Sequence, residues 1–237
     1  MRTVLVIAGV LAIGVCGAMC GQEPEPAPPD APVANAVAAH KPVPGEVFEL
    51  LKAKEKGSVS LEEVLAKRRS VRSFRDEDLS MEAKGQLLWA AQGVTSERGF
   101  RTAPSAGATY PLEVYLVDRA VVYKYAPSSH SIKAVKVGDM RGELSAACMG
   151  QRSVAEAGVV FVFGAVFERT MGRYRARADR YVYVEAGHAG QNVLLEAVAL
   201  GLGAVPVGAY DDAKVKEVVG MPEEEEAVYV IPVGVPR

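Results

Sequence analysis

The chain has 237 residues, 49% of them hydrophobic, with 27 basic and 29 acidic side chains and a net charge of −2. That length can bury one sizeable core or two small ones. So even a balance, mixed along the chain, leaves neither the electrostatic footprint of a nucleic-acid binder nor a polybasic patch for a membrane surface.

The first twenty residues open with Arg2, then the apolar run VLVIAGVLAIGVC and the small residues GAMCG. A basic start, a short apolar core and small residues at its exit predict a secretory signal peptide or an uncleaved N-terminal anchor. The remainder is then expected outside the cytoplasm, periplasmic or otherwise extracytoplasmic. Gly17-Ala18-Met19 makes a poor lipidation signal ahead of Cys20.

Residues 21–45 hold half of the chain's 14 prolines and no aromatic residue. They are expected to form a Pro/Ala-rich linker with a reach of roughly 75 Å at about 3.1 Å per residue. A single folded domain is expected over 46–237. Its one cysteine, Cys148, has no partner for a disulfide and is expected to behave as a core hydrophobe.

Ser60-Leu61-Glu62-Glu63 reads as a capping box, with Val59 and Val64 as its hydrophobic staple, and opens a helix to about Arg69. A second helix is expected from Ser80 to Gln92. Leu112–Val117 reads as a strand, and Val121–Tyr125 with Ile132–Val137 as a hairpin around APSSHS. Asp139–Gln151 reads as helix, and the apolar run Val159–Phe167 as a buried strand. A long helix follows from Arg177 to Leu200, then short strands at Ala204–Gly208 and Val228–Val233. Glu223 to Glu226 reads as a solvated loop. Without a regular βαβ beat, the class is α+β around a mainly antiparallel sheet flanked by helices.

The histidines at 40, 130 and 188 are scattered, and no Cys or His pair has zinc spacing, so no metal site is expected. GLGAVP follows a helix rather than a strand and fails as a Rossmann turn. APSAG has Ala103 where a nucleophile elbow needs glycine.

Three stretches remain. In KRRSVRSF, Arg68, Ser70 and Arg72 are spaced by two, so an extended backbone points them one way. They suit a phosphate, which arginine binds through planar paired donors. The same cations equally suit a helix C-terminus, worth about 0.3–1 kcal/mol there. RTAPSAGATYP, at 101–111, is a stiff polar loop between two prolines, with hydroxyls at Ser105 and Thr109. In the long helix, Val184, His188, Gln191, Leu195, Val198 and Leu202 share a stripe. That places His188 and Gln191 in an apolar face, either as a satisfied core network or beneath a flat ligand.

Together these stretches, with the closing YVIPVGVP, resemble the flavin-dependent nitroreductase family over nearly all of residues 60–237. The forms RTAPSAGATYPLEVYLV and EAGHAGQN are most similar to its SagB-type branch, which includes azoline dehydrogenases. The resemblance implies a nitroreductase-like fold, an FMN cofactor and an interlaced homodimer whose sites use both chains. Arg68, Arg69, Ser70 and Arg72 would hold the FMN phosphate and ribityl tail, and Ser105 of the other chain would contact the flavin. The backbone at Gly208 and Ala209 would face the redox edge near N5. Many relatives supply a late basic residue for the phosphate; here either Arg237 does that work or the phosphate relies wholly on the early arginines. Arg173-Tyr174 stands in the place of a Lys-Tyr proton-transfer pair, which leaves Tyr174 as the better acid or base.

The implied activity is hydride transfer to or from FMN, with a small-molecule substrate and an electron donor or acceptor: NAD(P)H, oxygen or a quinone. The alternative is a non-catalytic exported flavin-binding protein, for which the Lys-to-Arg change leaves room.

Overall fold

The computed structural model describes residues 42–237. The expected signal segment and most of the expected linker lie outside the described residues. Seven strands form one antiparallel sheet: β1 (Val47–Glu49), β2 (Leu112–Val117), β3 (Val121–Ala126), β4 (Ser131–Val137), β5 (Val159–Ala165), β6 (Gly203–Ala204) and β7 (Glu226–Gly234). Their spatial order is β1-β4-β3-β2-β5-β7-β6.

The sheet is buried on both faces, which explains the unbroken apolar run of β5. Phe161 and Phe163 point to one side, with Val114 and Leu116 of β2. Val160 and Val162 point to the other, with Tyr115 and Val117. On the first side lie α2 (Met81–Gln92) and the 22-residue α6 (Ala178–Ala199). On the second lie α3 (Arg141–Ala147), α4 (Arg152–Ala155) and α7 (Asp212–Val219). Two shorter helices, α1 (Leu61–Lys67) and α5 (Glu168–Tyr174), pack against α6.

Local chemistry sets most boundaries. The Ser60 side chain accepts from Glu63 N at 3.2 Å and caps α1, and Ser80 does the same for α2 through Ala83 N. The expected helix 139–151 is shortened to Arg141–Ala147, because Met149 and Gly150 take left-handed φ of 58° and 72° and turn the chain before α4. The Cys148 thiol before that turn is buried, which pushes its pKa up to about 11.

The acidic run departs from expectation most. Glu223, Glu224 and Glu226 are exposed, but Glu225 is 2% exposed. Tyr115 Oη donates to its Oε2 at 2.7 Å, and Lys124 Nζ donates to its Oε1. A Cβ on Gly164 would stand 3.2 Å from that Oε2, so the glycine of β5 leaves room for the carboxylate. Lys124 also pairs with Glu113 at 3.2 Å, and Glu113 with Arg169 at 2.6 Å. A chain of alternating charges therefore runs from the surface to a buried carboxylate.

α6 turns a different face to the sheet from the one its periodicity suggested. Val182, Ala186, Ala189, Gly190, Val193 and Ala197 are buried, whereas Val184 is 50% exposed and His188 and Gln191 are exposed. The helix carries two apolar stripes, and the smaller residues win the sheet. A Cβ on Gly190 would come within 2.6 Å of the Tyr229 ring, so β7 approaches the helix axis only there.

Candidate functional site

The segment after α1 is extended, as its alternation requires. Ser70 forms a parallel bridge with Ala204, and Val71 N donates to Ala204 O at 3.0 Å. Val71 faces inward, and a Cβ on Gly203 would sit 2.7 Å from it, so only glycine lets this strand close on β6. Ser70 and Arg72 face outward, exposed, and Arg68 is half-buried at the helix end. Among the described residues, no hydrogen bond or ion pair engages the Arg68 or Arg72 guanidinium. Arg69 is different: its Nη1 donates to the carbonyls of Ala66 (3.0 Å) and Arg68 (2.7 Å) and so caps α1.

The C-terminus lies alongside the same segment. Arg75 N donates to Val235 O, Phe74 bridges Pro236, and Arg237 N donates to Ser73 O at 3.3 Å. The Arg237 side chain reaches Glu156 at 3.9 Å.

On the other flank, Val205-Pro206-Val207 leads from β6 to Gly208 and Ala209, both exposed. Gln151 Nε2 donates to Ala209 O at 3.2 Å. The N–H groups of Gly208 and Ala209 meet no acceptor within the described chain, and a Cβ on Gly208 would meet open space. Two unpaired guanidiniums and a hydroxyl thus lie on the segment bridged to β6, and bare backbone donors lie on the segment that leaves it. These groups fit an anionic, phosphorylated ligand with polar ring edges.

The 101–111 loop gathers a second set. Ala106–Ala108 form a short 3-10 turn, with Gly107 at φ 62°. Its Cβ would lie 2.8 Å from Tyr174 Oη and 2.9 Å from Arg173 Nη1, so glycine is needed for both conformation and contact. Arg173 Nη1 donates to Gly107 O at 3.3 Å, and the Tyr174 ring meets Tyr181 edge-on at 4.7 Å. The predicted proton-transfer pair and the predicted flavin-contact loop therefore stand together. Ser105 is half-buried, and its Oγ accepts from Tyr110 N at 2.9 Å.

Sequence reasoning missed two members of this region. Glu185, buried on the sheet side of α6, has its carboxyl pushed up to about 7 by burial. Arg101 donates through Nη1 to Gln92 Oε1 at 2.8 Å and stacks over the Tyr110 ring at 4.4 Å. A glutamate falling among the small apolar positions of α6 was the available signal.

Tyr174 of the second set lies against Tyr181 at the start of α6, whereas the segment carrying Arg68 and Arg72 is bridged to Ala204, just past the end of that helix.

An antiparallel sheet between helical layers, with open cations on a segment bridged to its edge strand, gives an α+β domain with an exposed anion-binding segment. The comparisons agree: the Nitroreductase family model matches residues 65–235, and the chain belongs to that family. It is 44% identical over 182 residues to a protein of Methanocaldococcus jannaschii named as a nitroreductase, covering 74% of this chain and 91% of that one. It is 32% identical over 119 residues to the trifolitoxin-processing protein TfxB of Rhizobium leguminosarum, covering 46% of this chain and 32% of that one, in agreement with the SagB-type branch. A crystal structure of a Ralstonia eutropha protein named as a nitroreductase superposes with a TM-score of 0.74 at 27% identity. It covers 81% of this chain and 90% of that one.

Proposed function

We propose that the protein is an FMN-dependent oxidoreductase, nearest in kind to the SagB-type dehydrogenases, that acts as a homodimer on a small-molecule substrate. The observation that carries this reading is the pair of unpartnered guanidiniums of Arg68 and Arg72 on the segment bridged to β6, with the free N–H groups of Gly208 and Ala209 on the segment that leaves β6. Those groups are what a flavin phosphate and a ring edge require. When bound, FMN supplies hydride acceptance or donation at N5. Arg68 and Arg72 hold the phosphate, with Arg237 beside them on the paired C-terminal strand. The Gly208 and Ala209 amides orient the ring.

The second half of each site comes from a second copy. Tyr183 and Val184 of α6, Leu200 after it and Leu61 and Leu65 of α1 are exposed apolar side chains, of the kind a partner covers. An antiparallel copy seated there sets one chain's 101–111 loop, with Ser105, beside the other's arginine strand. Arg173 is anchored on Gly107 O, and a guanidinium is a poor base. Proton transfer to substrate therefore falls to Tyr174.

The N-terminal segment fits an exported protein, with a membrane tether if uncleaved. In that compartment an oxidative direction, with oxygen or a quinone taking the electrons, suits the chemistry better than nicotinamide-driven reduction. Anaerobic stopped-flow spectroscopy tests this. Flavin absorbance is expected to bleach faster with an azoline-type substrate than with NADPH. Faster bleaching by NADPH would make the protein a reductase, and bleaching by neither would favour the non-catalytic flavin carrier.

A further inference from the structure

Helix α5 and the residues before it meet the 101–111 loop in opposite chain order. Arg173 Nη1 donates to Gly107 O at 3.3 Å, and the hydroxyls of Thr170 and Thr109 stand 2.9 Å apart. Arg169 Nη1 donates to Tyr110 O at 3.1 Å, and Val166 N to Pro111 O at 2.9 Å.

Arg169 also reaches the sheet. Its Nη2 donates to Glu113 Oε1 at 2.6 Å, so one guanidinium fork spans the loop and β2. Glu113 is held in turn by Lys124 at 3.2 Å, and Lys124 is paired with the buried Glu225. The carboxylate that Arg169 grips is therefore anchored from inside the sheet.

The residue Arg169 holds at its other end is strained. Tyr110 lies at φ 45°, and Ala108 in the same turn at φ 54°. Non-glycine residues keep such a backbone only where surrounding contacts impose it. Around Tyr110 those contacts are on the page. Its N–H donates to Ser105 Oγ at 2.9 Å, its ring lies 4.4 Å from the Arg101 guanidinium, and its carbonyl accepts from Arg169. The Tyr110 amide that the turn orients is thus the one that holds the Ser105 hydroxyl.

We propose that Arg169 is the positioning residue of the 101–111 loop: by tying the Tyr110 carbonyl to Glu113 of β2 it sets the left-handed turn, and with it the face that Ser105 offers to the flavin of a second copy. The flavin end of this statement rests on the function proposed above; the loop end does not.

Magnitude separates this role from general stabilisation. The Arg169 side chain is 41% exposed, and an ion pair so placed adds little to global stability. A strained surface loop opens at far lower cost than the core, so the same contact weighs heavily there. Lysine would keep the charge but not the planar fork that meets both acceptors at once.

Amide hydrogen exchange of the full chain, read by NMR alongside the FMN Kd, tests the proposal. In Arg169→Ala the Tyr110 and Ala108 amides are expected to exchange roughly ten-fold faster, the scale of one charge-assisted hydrogen bond at a half-exposed site. The amides of Phe161 to Phe163, in a strand paired on both sides, should keep their wild-type rates. Arg169→Lys should fall between the two. Glu113→Gln keeps the guanidinium and weakens its anchor, and should loosen the same loop amides by a smaller factor. The FMN Kd is expected to rise several-fold in Arg169→Ala and to recover in part in Arg169→Lys.

Loop amides that keep wild-type rates in Arg169→Ala overturn the proposal. Faster exchange shared equally by β5 also overturns it, since the arginine would then hold the sheet and not the loop. Unchanged loop amides in Glu113→Gln overturn the route through β2. Fast loop exchange at an unchanged FMN Kd upholds the loop end and overturns its link to the flavin. The same exchange result in a protein whose wild type binds no FMN overturns the proposed function alone.

Discussion

Replacing both Arg68 and Arg72 with alanine is expected to weaken FMN binding by roughly 10²- to 10⁴-fold, since a charge-assisted hydrogen bond contributes about 1.5–3 kcal/mol and two are lost. Neither guanidinium has a partner within the described chain, so the change removes no internal contact and the melting temperature should hardly move. Lys133→Ala, an exposed cation on β4, serves as the control and should leave the Kd unchanged. Fluorescence titration of FMN measures all three. Equal losses in the control and the double variant would mean general electrostatic attraction rather than a phosphate seat.

Glu225→Ala should produce the largest loss of stability, on the order of 3 kcal/mol, because it strands a buried hydroxyl and takes one of two carboxylates from Lys124. Tyr115 is 1% exposed and has no other acceptor among the described contacts, while Lys124 keeps only Glu113. Urea unfolding reads the effect. Glu224→Ala, one residue away and exposed, should stay within about 0.5 kcal/mol of wild type. A Glu225→Ala chain as stable as the Glu224→Ala chain would remove the network from the account of the sheet.

These two variants also mark what the sequence could and could not reveal. The arginine strand was legible because its signal is local. A capped helix ends, alternation by two begins, and the charged residues fall on one side. The strands β2 to β5 were legible for a similar reason, as apolar runs separated by turn residues. Glu225 was not legible, because its burial depends on Gly164 and Tyr115, which are distant in sequence and meet it only across three strands of the finished sheet.

The long helix shows the limit of periodicity in another way. Two stripes of α6 are apolar, and composition alone ranked the one containing Val184 and Leu195 above the one rich in alanine. Close packing against Tyr229 and Ile231 at Gly190 decided the matter. The bulkier stripe was left exposed at Val184 and only half-buried at Leu195 and Val198. Glu185 was hidden by the same misassignment, since with the helix turned the other way it would have been one more exposed carboxylate. The helix α7 and the short strand β1 also escaped notice, being brief elements fixed by tertiary contacts rather than by strong local pattern.

The central claim is that one chain's arginine strand and another chain's 101–111 loop close on a single FMN. Equilibrium sedimentation followed at the flavin absorption band tests it most directly. The account predicts that flavin sediments only with a species of twice the 25.1 kDa chain mass, at about one flavin per chain as two-fold symmetry requires. Flavin sedimenting with the single chain, or a dimer that carries none, would contradict it.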